Sequence, residues 1–185
     1  PGCLWYIYEH NREESWKQSA VKWTEALEPM KKLTSHHDIG FLIYCSFGNG
    51  YRLTGKEEYK DVIIEAANSL TTRFSEVTGC IKSWNYRKAW NGKDEWFYPV
   101  IIDNMMNLEL LYFASKVTGD TRYAKIATTH AETTAKNQLR EDYSNYHVVD
   151  YDTLTGKVLH QATCQGFSDN SAWARGQAWA IYGYT

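Results

Sequence analysis

The chain has 185 residues, 43% of them hydrophobic, enough to bury one sizeable core and to make a single domain over 1–185 the default. A formal net charge of −2 leaves no basic surplus for nucleic acid or an anionic membrane, and no apolar run approaches the roughly 20 residues of a membrane span. Aromatic residues reach 15%, with 8 Trp and 14 Tyr; indole faces stack on pyranose rings in sugar-binding clefts, while core packing is the alternative for any single one.

In chain order, residues 13–32 predict an amphipathic helix bearing Trp16, Ala20, Trp23 and Leu27. Asp38 then opens a mostly apolar helical stretch over 39–53, closed at Thr54-Gly55. Residues 57–76 predict an amphipathic helix through Tyr59, Ile63, Ala66/Ala67 and Leu70. A long segment, 78–98, leads to 99–118, which is apolar nearly all round and contains Asp103; a helix of that kind is buried on every side. It ends at Thr118-Gly119, and 121–138 follows with one stripe at helical spacing, Tyr123, Ala127, His130/Ala131 and Thr134. Gly55 and Gly119 suit helix C-termini, where a positive φ is wanted. Within 139–170, residues 146–151 and 157–161 alternate around a turn containing Gly156, the pattern of a β-hairpin. Asp169 opens the last apolar stretch.

The pattern repeats: an Asp, an inner apolar helix, a Thr-Gly stop and an outer amphipathic helix. Repeated helical hairpins predict an all-α fold, an α/α toroid. The long segments and the three aspartates then gather on one rim, where loops and carboxylates make a site. Each Asp has an alternative role as a helix N-cap. Cys3, Cys45, Cys80 and Cys164 show neither CxxC nor zinc spacing and read as free thiols of a reducing compartment, with a disulfide as the other option. There is no metal motif of the HExxH kind and no serine nucleophile elbow. The start at Pro1 and the stop at Thr185 inside an apolar run read as cut ends.

The stretch from Gln165 through Ser168-Asp169-Asn170 and Trp173-Ala174-Arg175-Gly176-Gln177-Ala178-Trp179 to Gly183 resembles the signature of glycoside hydrolase family 88, the unsaturated glucuronyl hydrolases. The resemblance continues through His37-Asp38-Ile39-Gly40-Phe41, Pro99 to Leu110, Tyr146 to Asp152 and the opening Pro1 to Trp5, so it spans the chain in order. It implies a barrel of six helical hairpins, (α/α)6, of which this chain supplies about three, with the short β-hairpin in a rim loop. The related family 105, the unsaturated rhamnogalacturonyl hydrolases, typically carries Asn-Gly where this chain has Gln177-Ala178, which favours the glucuronyl enzyme.

The resemblance further implies a glycosidase that removes a 4,5-unsaturated uronic acid from the non-reducing end of lyase-generated glycosaminoglycan fragments. The reaction is hydration of the vinyl ether, without the glycosyl-enzyme intermediate of two-carboxylate hydrolases. By resemblance, Asp103 is the general acid/base and Asp38 the second carboxylate. Trp84, His147, Gln165, Trp173, Arg175 and Trp179 bind substrate. Trp84 stacks on the sugar being released, with Trp90 as its substitute. A neighbouring carboxylate and a dry aromatic pocket would keep the acid protonated above the usual Asp pKa of about 3.9. His36, His37 and His130 read as structural. No metal and no cofactor are expected. The expected partner is an unsaturated glycosaminoglycan disaccharide or oligosaccharide, with no nucleic acid and no membrane. The expected home is the cytoplasm, with the periplasm as alternative. The competing functions are a rhamnogalacturonyl hydrolase acting on pectin fragments and a non-catalytic carbohydrate-binding half-barrel.

Overall fold

The computed structural model describes residues 1–89 and 91–185; Trp90, the substitute for Trp84, lies outside the described residues. Helix α1 (Gly2–Asn11), unforeseen in the sequence, buries Trp5, whose Nε1 donates to Thr24 Oγ1 at 2.9 Å on α2 (Glu14–Glu25). The helix expected over 13–32 is therefore shorter. Beyond Ala26 the chain turns into a 3-10 stretch, Glu28–Lys32, with Pro29 in its first turn, where a missing N–H is tolerated. The buried stripe also differs from the expected one: Ala20 and Thr24 are buried and Trp23 is exposed.

The first inner segment is helical from Ile39 to Thr54 in three geometries: α3 (Ile39–Ile43), a π-turn over Tyr44–Gly48, and α4 (Asn49–Thr54). α4 stops at Gly55 with φ 67° and α6 at Gly119 with φ 76°, as the sequence predicts; α6 spans Leu108–Thr118. Between them, α5 (Glu57–Thr71) buries the expected Tyr59, Ile63, Ala66, Ala67 and Leu70, but ends before 76. Its successor residues form a small ladder of β1 (Phe74–Ser75) with β2 (Cys80–Ile81), and a second joins β3 (Arg87–Lys88) to β4 (Glu95–Trp96).

The single helix expected over 99–118 is not formed. Pro99–Ile101 is strand β5, Ile102–Asn107 is a 3-10 helix, and only then does α6 begin. A continuous apolar run suits a buried strand as well as a buried helix. Here a partner decides: β5 pairs antiparallel with β6 (Val148–Tyr151), Val100 opposite Val149 and Ile101 opposite Val148. Pro99 takes the first strand position, where no ladder donor is needed. β6 in turn pairs with β7 (Val158–Ala162), the expected hairpin. Outer helix α7 (Thr121–Gln138) and helix α8 (Ala174–Tyr184) complete the chain.

The capping role offered for the three aspartates is not observed. Asp38 occupies the N-cap of α3 without accepting a backbone bond from it. Asp103 lies inside the 3-10 helix. Asp169 precedes α8 by five residues, and its Oδ1 accepts from Thr163 N at 2.8 Å, fixing a loop. The aspartate that does cap a helix is Asp120, accepting from Arg122 N at 2.9 Å at the start of α7.

Two close approaches bring the site elements together. A Cβ on Gly40 of α3 would stand 2.8 Å from the Asn107 Cα, so α3 lies directly on the 3-10 helix that carries Asp103. A Cβ on Gly183 of α8 would stand 2.4 Å from Met105 Cβ, which seats α8 on the same turn. One continuous apolar core, including Ile39, Ile43, Ile63, Ile102, Met105 and Leu110, runs beneath these contacts. All four cysteines are free thiols. Among the described residues, no helix is long and apolar enough to cross a membrane.

Candidate active site

Asp103 is held where the 3-10 helix passes between α3 and α8, its side chain 17% exposed. Burial raises its pKa to about 6. Its own backbone N–H and the charge of Arg175 pull downward, the charge of Asp38 pushes upward, and the Trp179 indole N–H lowers it slightly. The Trp179 contact falls short of full hydrogen-bond geometry. Trp179 Nε1 and Asp103 Oδ2 are both buried and lack a hydrogen-bond partner among the described residues. Two such orphans beside one another mark a place where a ligand or a water is wanted.

His147, immediately before β6, faces Asp103, with Nε2 3.7 Å from Oδ2. Its Nδ1 accepts from the backbone N–H groups of Cys164 at 3.0 Å and Gln165 at 3.2 Å. A nitrogen that accepts carries no proton, so the neutral ring holds its hydrogen on Nε2, aimed at the carboxyl. Burial lowers the His147 pKa to about 4, with Arg175 and Arg87 adding to the effect, so the ring is neutral at neutral pH.

The loop 163–173 wraps the other side. The rings of His147 and Trp173 lie 4.3 Å apart, and the Arg175 guanidinium sits 4.5 Å from the Trp173 ring centroid. Arg175 Nη2 donates to Gln165 Oε1 at 2.6 Å. Arg140 straps this loop down, donating to the carbonyls of Asp169 (3.0 Å) and Ser171 (3.2 Å) from one nitrogen and to Asn145 O (3.1 Å) from another. Gln177, the position that separates the two related families in sequence, is fully used in packing: Oε1 accepts from Asn145 Nδ2 at 2.6 Å and Nε2 donates to Tyr143 O at 3.0 Å.

Asp38 approaches from α3. Its side chain is 52% exposed, and Oδ1 stands 3.1 Å from His37 Nε2. His37 is fully buried, and burial lowers its pKa to about 3. Its Nδ1 contacts Asn107 Nδ2 at 3.1 Å, and only an acceptor nitrogen can face that amide donor. The Nε2–H is thereby directed at Asp38. Behind it, Asn107 donates to Asn104 Oδ1 at 2.9 Å, and Asn104 donates to Ser83 Oγ at 2.9 Å and to Ile81 O at 2.7 Å. The sequence reading left His37 structural and missed Ser83, Asn104 and Asn107. The two asparagines inside a run expected to be an apolar helix were the available signal. Phe41 of α3 meets Trp179 of α8 edge to face at 5.6 Å, closing the cluster.

The structure thus gathers Asp38, Asp103, His147, Gln165, Trp173, Arg175 and Trp179. Trp84 stands apart: its neighbours are Trp96, stacked at 6.4 Å, and Arg87, 4.7 Å over its ring. It joins the rest through a small apolar cluster with Ala89, Ile101, Val148 and Cys164. A further buried carboxyl, Asp150, is also raised in pKa by burial, but it accepts from Tyr98 N at 2.8 Å within the sheet.

The sequence model of Glycosyl Hydrolase Family 88 matches residues 2–185. The chain is 51% identical to an unsaturated glucuronyl hydrolase of Formosa agariphila, aligned over 100% of the chain and 45% of that relative. It is 39% identical to an unsaturated chondroitin disaccharide hydrolase of Streptococcus agalactiae, over 98% of the chain and 45% of the relative. A crystal structure of an unsaturated glucuronyl hydrolase specific for heparin superposes with a TM-score of 0.93 at 47% identity, covering 100% of this chain and 48% of that one. The chain spans about half the length of the curated relatives it matches.

Proposed function

Because the chain belongs to glycosyl hydrolase family 88, we propose that it acts in removing the 4,5-unsaturated uronic acid from the non-reducing end of lyase-generated glycosaminoglycan oligosaccharides. The observation that carries this reading is a largely buried carboxyl with its pKa raised to about 6, beside His147 and Trp179, with Trp173 packed on His147 and Arg175 seated over Trp173. A carboxyl so placed can hold a proton near neutral pH and deliver it to carbon.

Asp103 donates that proton to C4 of the C4=C5 double bond, and the positive charge developing at C5 is shared with the ring oxygen. Water adds at C5 and returns a proton to the Asp103 carboxylate. The hemiketal opens to a ketone, leaving C1 as a hemiacetal that collapses to an aldehyde and releases the neighbouring sugar. One water is consumed. Arg175, positioned by Gln165 and by the Trp173 ring, takes the C6 carboxylate through its planar fork. The neutral His147 N–H and the Trp179 N–H serve oxygens of the bound sugar or of the attacking water. The charge of Asp38 helps keep Asp103 protonated.

The test is incubation of the intact protein with unsaturated chondroitin, hyaluronan and heparin disaccharides, following loss of the conjugated-alkene absorbance. Turnover of at least one is expected. Turnover confined to an unsaturated rhamnogalacturonan disaccharide would overturn the reading.

A further inference from the structure

Each carboxyl of the site faces a buried imidazole. His147 Nε2 stands 3.7 Å from Asp103 Oδ2, and His37 Nε2 stands 3.1 Å from Asp38 Oδ1. The two acids differ in what else holds them. Asp103 is seated within the 3-10 helix, whereas the Asp38 side chain is 52% exposed and has no lysine or arginine at ion-pair distance among the described residues. Its other neighbour, His36, reaches to 3.7 Å from Oδ2 through Nδ1, and that nitrogen already accepts from the Asp38 backbone N–H at 3.2 Å. Among the described residues, His37 is therefore the donor directed at the Asp38 carboxylate.

That direction is set three side chains away. The Ile81 carbonyl can only accept, so the Asn104 amide must present Nδ2 to it, at 2.7 Å. Asn104 Oδ1 then faces Asn107, which must answer with Nδ2, at 2.9 Å. The second hydrogen of the same nitrogen meets His37 Nδ1 at 3.1 Å, so Nδ1 carries no proton and Nε2 does. Asn107 Oδ1, turned toward Gly40, is left buried and without a partner among the described residues. An unmade buried acceptor is unfavourable, and here it accompanies a polarity that ends on an acid of the site.

We propose that His37 is a positioning residue: its Nε2–H holds the half-exposed Asp38 carboxylate in place, so that the Asp38 charge stays close to Asp103. Burial lowers the His37 pKa to about 3, so this donor does not titrate near neutral pH. The other charged or titratable groups around the two acids and this ring are His36 on the same turn, Arg73 after α5, His130 on α7, His147 before β6 and Arg175 on α8. Burial keeps His130 and His147 neutral as well.

The inference rests on the function proposed above, and its test is read without substrate, so the two fail separately. Nitrogen-15 NMR of the intact protein reports the His37 tautomer, and a proton on Nε2 is expected. A proton on Nδ1, or a charged ring at pH 7, overturns the proposal. The Nε2 proton resonance should move upfield in Asp38→Asn, where the charged acceptor is lost; an unmoved resonance also overturns it. The Asp103 titration is followed by carboxyl carbon-13 NMR. His37→Asn keeps an acceptor for Asn107 but is too short to reach Asp38, so the freed Asp38 turns to solvent. The Asp103 midpoint should then fall by on the order of half a pH unit, because a nearby negative charge no longer disfavours its ionisation. His37→Gln, which can offer an oxygen to Asn107 and an N–H to Asp38, should restore the wild-type midpoint. An unmoved midpoint in His37→Asn, or an equal shift when Asp38 is already Asn, reduces His37 to core packing.

Discussion

His147 directs an N–H at Asp103 without reaching it: Nε2 stands 3.7 Å from Oδ2, while Nδ1 is occupied by two backbone donors. The gap is longer than a hydrogen bond, and the carboxyl oxygen across it is buried and without a hydrogen-bond partner among the described residues. The pair thus frames a position that a substrate oxygen or a water completes, beside a carboxyl whose pKa burial raises to about 6.

Asp103→Asn should reduce turnover by a factor on the order of 10² to 10⁴, the usual worth of a positioned acid, with disaccharide affinity held within a few fold. The amide fills the same space and cannot give up a proton to carbon. Steady-state rates and calorimetric binding on the same preparation check it. A near-wild-type rate in this variant, with loss in Asp38→Asn instead, would exchange the two roles.

The rate should fall as pH rises through the Asp103 pKa, because the protonated acid is the active form. With that pKa at about 6, the basic limb of kcat/KM is expected near there. Asp38 raises it and Arg175 lowers it. Asp38→Asn should therefore move the limb to lower pH, and Arg175→Gln should move it to higher pH while weakening substrate binding. Limbs that stay put in both variants would show that another group titrates.

Stability should respond to Asp103→Asn in the opposite sense to activity. The folded-state pKa of Asp103 lies above its ordinary value of 3.8, so ionising it disfavours the native state. The effect is absent below about pH 4, grows through the window from about 4 to about 6, and is complete above it. Asp103→Asn should then stabilise the fold by on the order of 2 kcal/mol at pH 8 and by little at pH 4. Urea unfolding of both proteins at the two pH values measures it; a difference independent of pH would contradict the burial argument.

Gly40→Ala should destabilise the fold by about 1–3 kcal/mol, the range for forcing an extra methyl into a packed site. The new Cβ would press on the Asn107 backbone as well as its side chain, and the backbone has nowhere to go. Thermal unfolding reads the loss, and a wild-type melting temperature would show that the two segments separate without strain.

What the sequence made legible was whatever depended on local chemistry. Gly55 and Gly119 end helices because the left-handed backbone they adopt favours glycine. The β6–β7 hairpin shows in alternation around Gly156, and α7 in its single apolar stripe. Asp103, His147 and Arg175 were readable through motif resemblance, and the structure adds why they meet. Long-range pairing was not legible. Val100 and Ile101 join a sheet because Val148 and Val149 arrive from nearly fifty residues away. Ser83, Asn104 and Asn107 look unremarkable in the chain and become a buried relay only once three segments close on them. Arg87 is one charge among many until its hairpin sets it on Trp84.

The chain His37–Asn107–Asn104 has a consequence for anyone mapping the site by mutation. Asn107 touches Gly40 from one side and orders His37 from the other, so it governs both how α3 carries Asp38 toward the Asp103 turn and which way the His37 Nε2–H points. A scan scored on rate alone would assign Asn107 to the reacting centre although its side chain is wholly buried. Its signature would be a displaced pH profile, the mark of a residue that sets the geometry of the acids from behind.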